Sequence, residues 1–250
     1  DHFITRMTHT LNVTQVGRSI ARTLGLNPDL TEAICLGHDV GHSPFGHTGE
    51  DVLNDMLDGG WSHSENSVRM LSVIEPLNLT KETINGIEKH PWRYEEPPFS
   101  PEGLICRFAD RIAYLSHDVE DAIRAGVLRE SDIPKSITSV LGTPGKTWIN
   151  SLISGVFKAS SGGSLQMDDE ILNVMHELRE FMFDKVIILI KSPSYTALQF
   201  GFFEWLKNPP KGVLIYPWEN LSSFTCDIPS SMSDDISVIA KRPNPWIGES

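Results

Sequence analysis

The apolar positions in the first half of the chain repeat at helical spacing. From Thr8 to Leu24, His9, Val13, Val16, Ile20 and Leu24 fall on one stripe, the period of an amphipathic helix. Gly25 ends it, and Asn27-Pro28 opens a second helix with a capping side chain and a first-turn proline. Leu30, Ile34 and His38 then recur four apart on one stripe. Three glycines and Pro44 predict a loop over 41–49. Short helices are expected over Gly49–Leu57 and Ser64–Glu75, and another should end near His90. "PWRYEEPPFSP", 91–101, reads as a proline-rich loop. A long helix over Pro101–Gly126 offers Ile105, Phe108, Ile112, Val119 and Ile123 to a core. Beyond it the signal thins to one helix over 147–158, one from Asp168 to about Ile190 with an acidic first turn, and a short one in "FGFFEWLKNPP". No internal repeat is visible, and from Gly212 no period is sustained. The expectation is an all-α protein: a core over 1–130, a helical continuation of the same domain over 131–190, and a poorly patterned C-terminal extension over 191–250.

Composition narrows the class without naming it. The chain has 250 residues, 40% hydrophobic and 22% charged, ordinary values for a globular protein. A formal net charge of −12 argues against nucleic acid as the main partner and against a basic membrane-binding surface. It leaves room for an anionic small substrate held by a local cationic pocket. Cys35, Cys106 and Cys226 lie far apart with no CxxC, so they read as small apolar residues of a reduced, cytoplasmic compartment. The longest apolar run, "VIILI" at 186–190, is too short to span a membrane, and no signal peptide is evident. The chain opens at Asp1, as a fragment would.

The chemistry concentrates in "LGHDVGHSPFGHTGE", residues 36–50. His9 and His38 interrupt stripes that are otherwise apolar. Either one alone would read as a core histidine with a satisfied hydrogen bond. Together with Asp39, which follows His38 at a helix end, and Asp110 on the long helix, they make a mixed N/O donor set. Such a set suits Mn²⁺, Fe²⁺, Co²⁺, Ni²⁺, Zn²⁺ or Mg²⁺ better than a thiolate-loving ion. On the long helix, Asp110, Tyr114 and Asp118 are spaced four and four, so they share one face about 6 Å apart per step.

The order His9, His38-Asp39, Asp110 resembles the HD-domain metal-dependent phosphohydrolases. "TRMTHTLNVTQVGRSIARTLGL", "EAICLGHDVGHSPFGHTGE", "WSHSENSVRML" and "RFADRIAYLSHDVEDAIRAGVL" resemble its deoxynucleoside triphosphate triphosphohydrolase branch, the deoxyguanosine triphosphatase-like proteins. The likeness runs from residue 1 to about 130 and weakly through 185. It implies an HD-domain helical bundle with a metal site between helices, and His9, His38, Asp39 and Asp110 as ligands of a divalent ion. It implies cleavage between the 5′ oxygen and the α-phosphorus, giving a deoxynucleoside and tripolyphosphate. His42 and His47 would act as cationic donors against the α-phosphate, unless they merely cap the loop. Glu50 and His63 would form an acid/base pair, with Glu65 a weaker candidate and a solvated position as its plainer reading. Arg6, one turn before His9 if the helix reaches back that far, would contact phosphate. Arg111 would do the same, or form an exposed ion pair. Tyr114 would lie against the sugar and exclude a 2′-hydroxyl, or be a half-buried helix aromatic. Asp118 would accept from the 3′-hydroxyl, while His117 is open between substrate pocket and helix packing.

Relatives form homo-oligomers and carry a segment before the first histidine that helps build the nucleotide pocket. The last 60 or so residues do not follow the family pattern. Two other readings stand beside the first: an HD nucleotidase or phosphodiesterase acting on a different nucleotide, and a catalytically silent nucleotide sensor.

Overall fold

The computed structural model describes residues 4–160 and 164–187. Among these are nine α-helices and no β-strand. The short helix expected in 200–210 and the extension over 191–250 lie outside the described residues.

Helix α1 (Arg6–Leu24) starts where the Thr5 side chain accepts from the Thr8 N–H, and stops at Gly25, whose φ of 71° is the left-handed conformation glycine adopts without strain. Helix α2 (Pro28–Gly37) is capped by Asn27, which accepts from the N–H groups of Asp29 and Leu30. Helix α6 (Pro101–Arg124) is capped by Ser100 and runs through the middle of the core. Val13, Val16 and Ile20 of α1, Ile34 and Cys35 of α2, and Ile105, Ala109 and Ile112 of α6 form one buried cluster. Burying each of the larger side chains there stabilises the fold by roughly 2 kcal/mol. Phe108 and Val119 are buried as the spacing predicts, while Ile123 is only partly covered. Cys35 and Cys106 are buried, unbridged members of the same cluster.

Helix α3 (Gly46–Met56) begins three residues earlier than expected, within the predicted loop. Gly49 is a packing glycine in the helix, not a loop former: a Cβ there would stand 1.9 Å from the Pro44 carbonyl oxygen. Helix α4 (His63–Arg69) continues into a π turn at Met70–Ile74, so the predicted 64–75 helix is a helix plus a bulged turn. Helix α5 (Lys81–Lys89) packs on α2, α4 and α6.

Helix α7 (Lys135–Leu141) was not foreseen; "KSITSVL" is short, β-branched and preceded by proline, and it is held by burying Ile137 and Leu141. Helix α8 (Lys146–Ala159) anchors Trp148, whose indole N–H donates to the Gly142 carbonyl at 2.8 Å. Helix α9 (Asp169–Met182) is capped by Asp168 and ends in a π turn at Phe183–Ile187.

Candidate active site

Packing α1, α2, α4, α5 and α6 together gathers seven histidines into one chain of ring contacts. It runs from His117 through His9, His38, His90 and His63 to His42 and His47. The core of this array is the end of α2. His38 is fully buried, and its Nδ1–H donates to the Cys35 carbonyl at 2.7 Å, the only proton a neutral ring has. Its Nε2 therefore points inward as a lone pair, buried and without a hydrogen-bond partner. Carboxylate oxygens of Asp39 and Asp110 stand 3.7 and 3.6 Å away. Those separations are too long for hydrogen bonds and suit donors that share a cation between them. Burial opposes charge on His38, yet the two carboxylates pull its pKa up to about 10. The same field that would trap a proton favours a divalent ion.

His9 from α1 completes a triad: its Nε2 lies 3.1 Å from Asp110 Oδ1, and donor atoms of His9, His38 and Asp110 fall within 4.8 Å of one another. Asp39 is adjacent but turned toward Arg6, whose Nη1 donates to its Oδ2 at 2.7 Å. Burial would raise both carboxyls; His38 with Arg6 holds Asp39, and His38 with His9 holds Asp110, well below the usual carboxylate range. Three of the four sequence-nominated ligands, His9, His38 and Asp110, thus converge with Asp39 beside His38, and the orphaned His38 nitrogen between two carboxylates fits a divalent ion.

Gly41 locks the following loop onto α4. Its N–H donates to Ser67 Oγ at 2.8 Å, Asn66 Nδ2 donates to its carbonyl at 2.9 Å, and Ser67 Oγ reaches the His38 carbonyl at 3.0 Å. This contact stacks the His42 ring on His63, with centroids 4.8 Å apart and planes 12° from parallel. Both ring nitrogens of His42 are buried without hydrogen-bond partners. The expectation that His42 stands as a protonated donor is corrected here: burial, helped by the Arg6 charge, pushes its pKa down to about 3. Desolvation, and then the charge of a protonated His63, push the His47 pKa down as well. For both rings the surroundings favour the neutral form.

Glu50, on α3, is buried and holds His63 from two sides. Its Oε2 accepts from His63 Nδ1–H at 2.7 Å and its Oε1 accepts from the His63 backbone N–H at 3.2 Å. Burial would raise its pKa, but His63 and then Arg93 bring it down to about 2. Arg93 Nη1 lies 2.9 Å from Glu50 Oε1, and its Nη2 also donates to Ser62 Oγ. Neither Arg93 nor His90 stood out in the sequence. Both lie within "HPWRY", residues 90–94, where proline and aromatics marked only a loop, although a histidine just before a helix-stopping proline was a readable sign.

Along α6 the Asp110–Tyr114–Asp118 face forms as the spacing predicts. Asp118 is exposed, yet desolvation by the surrounding protein raises its pKa to about 6 against the opposing pull of His9, with Asp121 and Asp110 adding to the shift. Arg111 is 5% exposed, so the exposed ion-pair reading fails. Its guanidinium lies 3.8 Å over the Trp92 ring, with Nε and Nη1 free of hydrogen-bond partners. Glu65 is an exposed position that accepts from Tyr94 Oη at 3.2 Å. His117 pairs with Asn12 across α1 and α6 at 3.2 Å, which favours helix packing.

The His/Asp cluster could hold a metal ion and lies in an all-α fold, and the HD domain family model, that of metal-dependent phosphohydrolases, matches residues 6–115. Over 98% of this chain and 77% of the relative, it is 39% identical to a deoxyguanosinetriphosphate triphosphohydrolase-like protein of Caldanaerobacter subterraneus. A protein of the same description from Clostridium tetani is 39% identical over 96% of this chain and 75% of its own length. One from Clostridium perfringens is 45% identical over 75% of this chain and 58% of its own length. The chain belongs to the deoxyguanosinetriphosphate triphosphohydrolase-like family of HD-domain proteins. No helix among the described residues is long and apolar enough to cross a membrane.

Proposed function

We propose that the protein hydrolyses deoxynucleoside triphosphates to deoxynucleoside and tripolyphosphate. The observation that carries this reading is the continuity of the metal-ligand triad with the Asp110–Tyr114–Asp118 face: one helix presents the ligand, an aromatic ring and a carboxylate in line. His9, His38, Asp39 and Asp110 would hold the ion. When bound, a divalent ion supplies Lewis acidity toward a phosphoryl oxygen and toward water. Arg6, His42 and His47 face the α-phosphate, where neutral imidazoles gain protons or donate their ring N–H as charge builds on oxygen. His63, oriented by Glu50, either orients the attacking water or protonates the leaving 5′ oxygen. Water's oxygen bonds to the α-phosphorus, and the bond to the 5′ oxygen breaks. Tyr114 packs against the sugar where a 2′-hydroxyl would sit, and Asp118 accepts from the 3′-hydroxyl. Arg111, buried with unpaired N–H groups, is available to the phosphate tail.

The test is an endpoint assay of each dNTP with Mn²⁺, products separated by anion exchange. Deoxynucleoside with tripolyphosphate is the expected pair. Orthophosphate or pyrophosphate would assign the chain to another HD nucleotidase or phosphodiesterase chemistry, and saturable binding without turnover to a sensor.

A further inference from the structure

His90 is built like His38. Each follows the last residue of a helix, and each donates Nδ1–H to the carbonyl three residues back at 2.7 Å, to Cys35 for His38 and to Ile87 for His90. That bond uses the neutral ring's single proton and turns Nε2 inward as a lone pair, the construction of a metal-binding imidazole. His90 is 2% exposed and packs edge-on against the His38 ring, with centroids 5.0 Å apart. Its Nε2 faces His63 Nε2 at 3.3 Å, while His63 commits its own Nδ1–H to Glu50. In neutral rings these are two converging lone pairs, an arrangement that needs positive charge nearby. The donor atoms of His38, Asp39 and His90 lie within 4.8 Å of one another, as do those of His9, His38 and Asp110, and the two triads share His38 Nε2.

We infer that His90 is a fifth protein ligand, so that the centre presents three imidazoles and two carboxylates: His9, His38, His90, Asp39 and Asp110. The inference rests on the metal reading proposed above and adds a preference to it. Three imidazoles bind Mn²⁺, Fe²⁺, Co²⁺, Ni²⁺ or Zn²⁺ in favour of Mg²⁺, which keeps oxygen ligands and water. His63, outside the ligand set, keeps its Nε2 free for water or the leaving group.

The test loads the full chain with Co²⁺ and counts paramagnetically shifted, exchangeable imidazole N–H resonances by proton NMR, alongside calorimetric titration with Co²⁺ and with Mg²⁺. Three shifted N–H signals are expected for the wild type and two for His90→Ala. His90→Gln, which fills the same space, should weaken Co²⁺ binding by about 10–100-fold or more and Mg²⁺ binding far less. Two signals in the wild type, or unchanged Co²⁺ affinity in a folded His90 variant, would overturn the assignment. The wild-type count decides the matter even if both variants misfold. If His9→Ala and Asp110→Ala abolish Co²⁺ binding while His90 is indifferent, only the fifth ligand falls. If the wild type binds no Co²⁺, the metal reading falls with it.

Discussion

Replacing Gly41 with alanine should unhinge the active-site loop. A Cβ at this position would stand 2.2 Å from the Ser67 backbone nitrogen and 2.5 Å from the Asn66 carbonyl carbon. Both belong to the backbone of α4, so no side chain can swing aside. Ordinary contact would demand a displacement of about 1 Å between loop and helix. That shift breaks the Gly41–Ser67, Asn66–Gly41 and Ser67–His38 hydrogen bonds, each worth about 1 kcal/mol and more where a buried group is left unpaired. Overpacking adds about 1–3 kcal/mol, for a total of roughly 4–6 kcal/mol. In a domain of this size the melting temperature should fall by about 10 °C or more. The assay is thermal unfolding by circular dichroism in chelator, with turnover measured below the transition. Gly25→Ala is the control: its φ of 71° strains alanine, but nothing lies within 4 Å of the added carbon. It should cost about 1 kcal/mol and leave activity intact. A Gly41→Ala protein that melts within about 2 °C of wild type, a shift worth under about 1 kcal/mol, would refute the packing argument.

Asp110→Ala should remove metal binding and turnover together; unchanged metal stoichiometry would show that the ligand set is wrong. Tyr114→Ala should relax discrimination against ribonucleotides more than it lowers deoxynucleotide turnover, read as the ratio of the two kcat/KM values, and an unchanged ratio would sink the steric gate. Glu50 is depressed from 4.5 to about 2, so its stabilisation is complete above pH 4.5 and is lost as pH falls toward 2. Glu50→Gln should therefore be less stable than wild type at pH 7, by something of the order of 3 kcal/mol, and the gap should close on acidification. Denaturant unfolding at pH 7 and pH 3 checks the sign, since a gap that widens in acid contradicts the linkage.

Much of the fold is local, and local chemistry is written in order along the chain. Thr5, Asn27, Ser100 and Asp168 cap helices because each side chain reaches an N–H two or three residues ahead. The first three sit where the stripes of α1, α2 and α6 begin. The His38-Asp39 pair and the Asp110–Tyr114–Asp118 face were legible for the same reason: helical spacing alone sets which residues share a side. Other features depended on what lay across a contact. Gly46 and His47 read as loop in the sequence yet open α3, and only the Pro44 carbonyl packed against Gly49 shows why that position has no side chain. Helix α7 forms against a core that supplies what its β-branched sequence lacks. The lowered pKa of the loop residue His42 comes from burial and from Arg6, 36 positions away on α1. His90 meets His63 across 27 residues, and Arg93 meets Glu50 from a loop that advertised only its prolines. Periodicity and capping determined the helices and the faces they present. The packing of α2, α4, α5 and α6 decided which buried nitrogens face one another, because donor geometry and desolvation belong to neighbours in space and not in sequence.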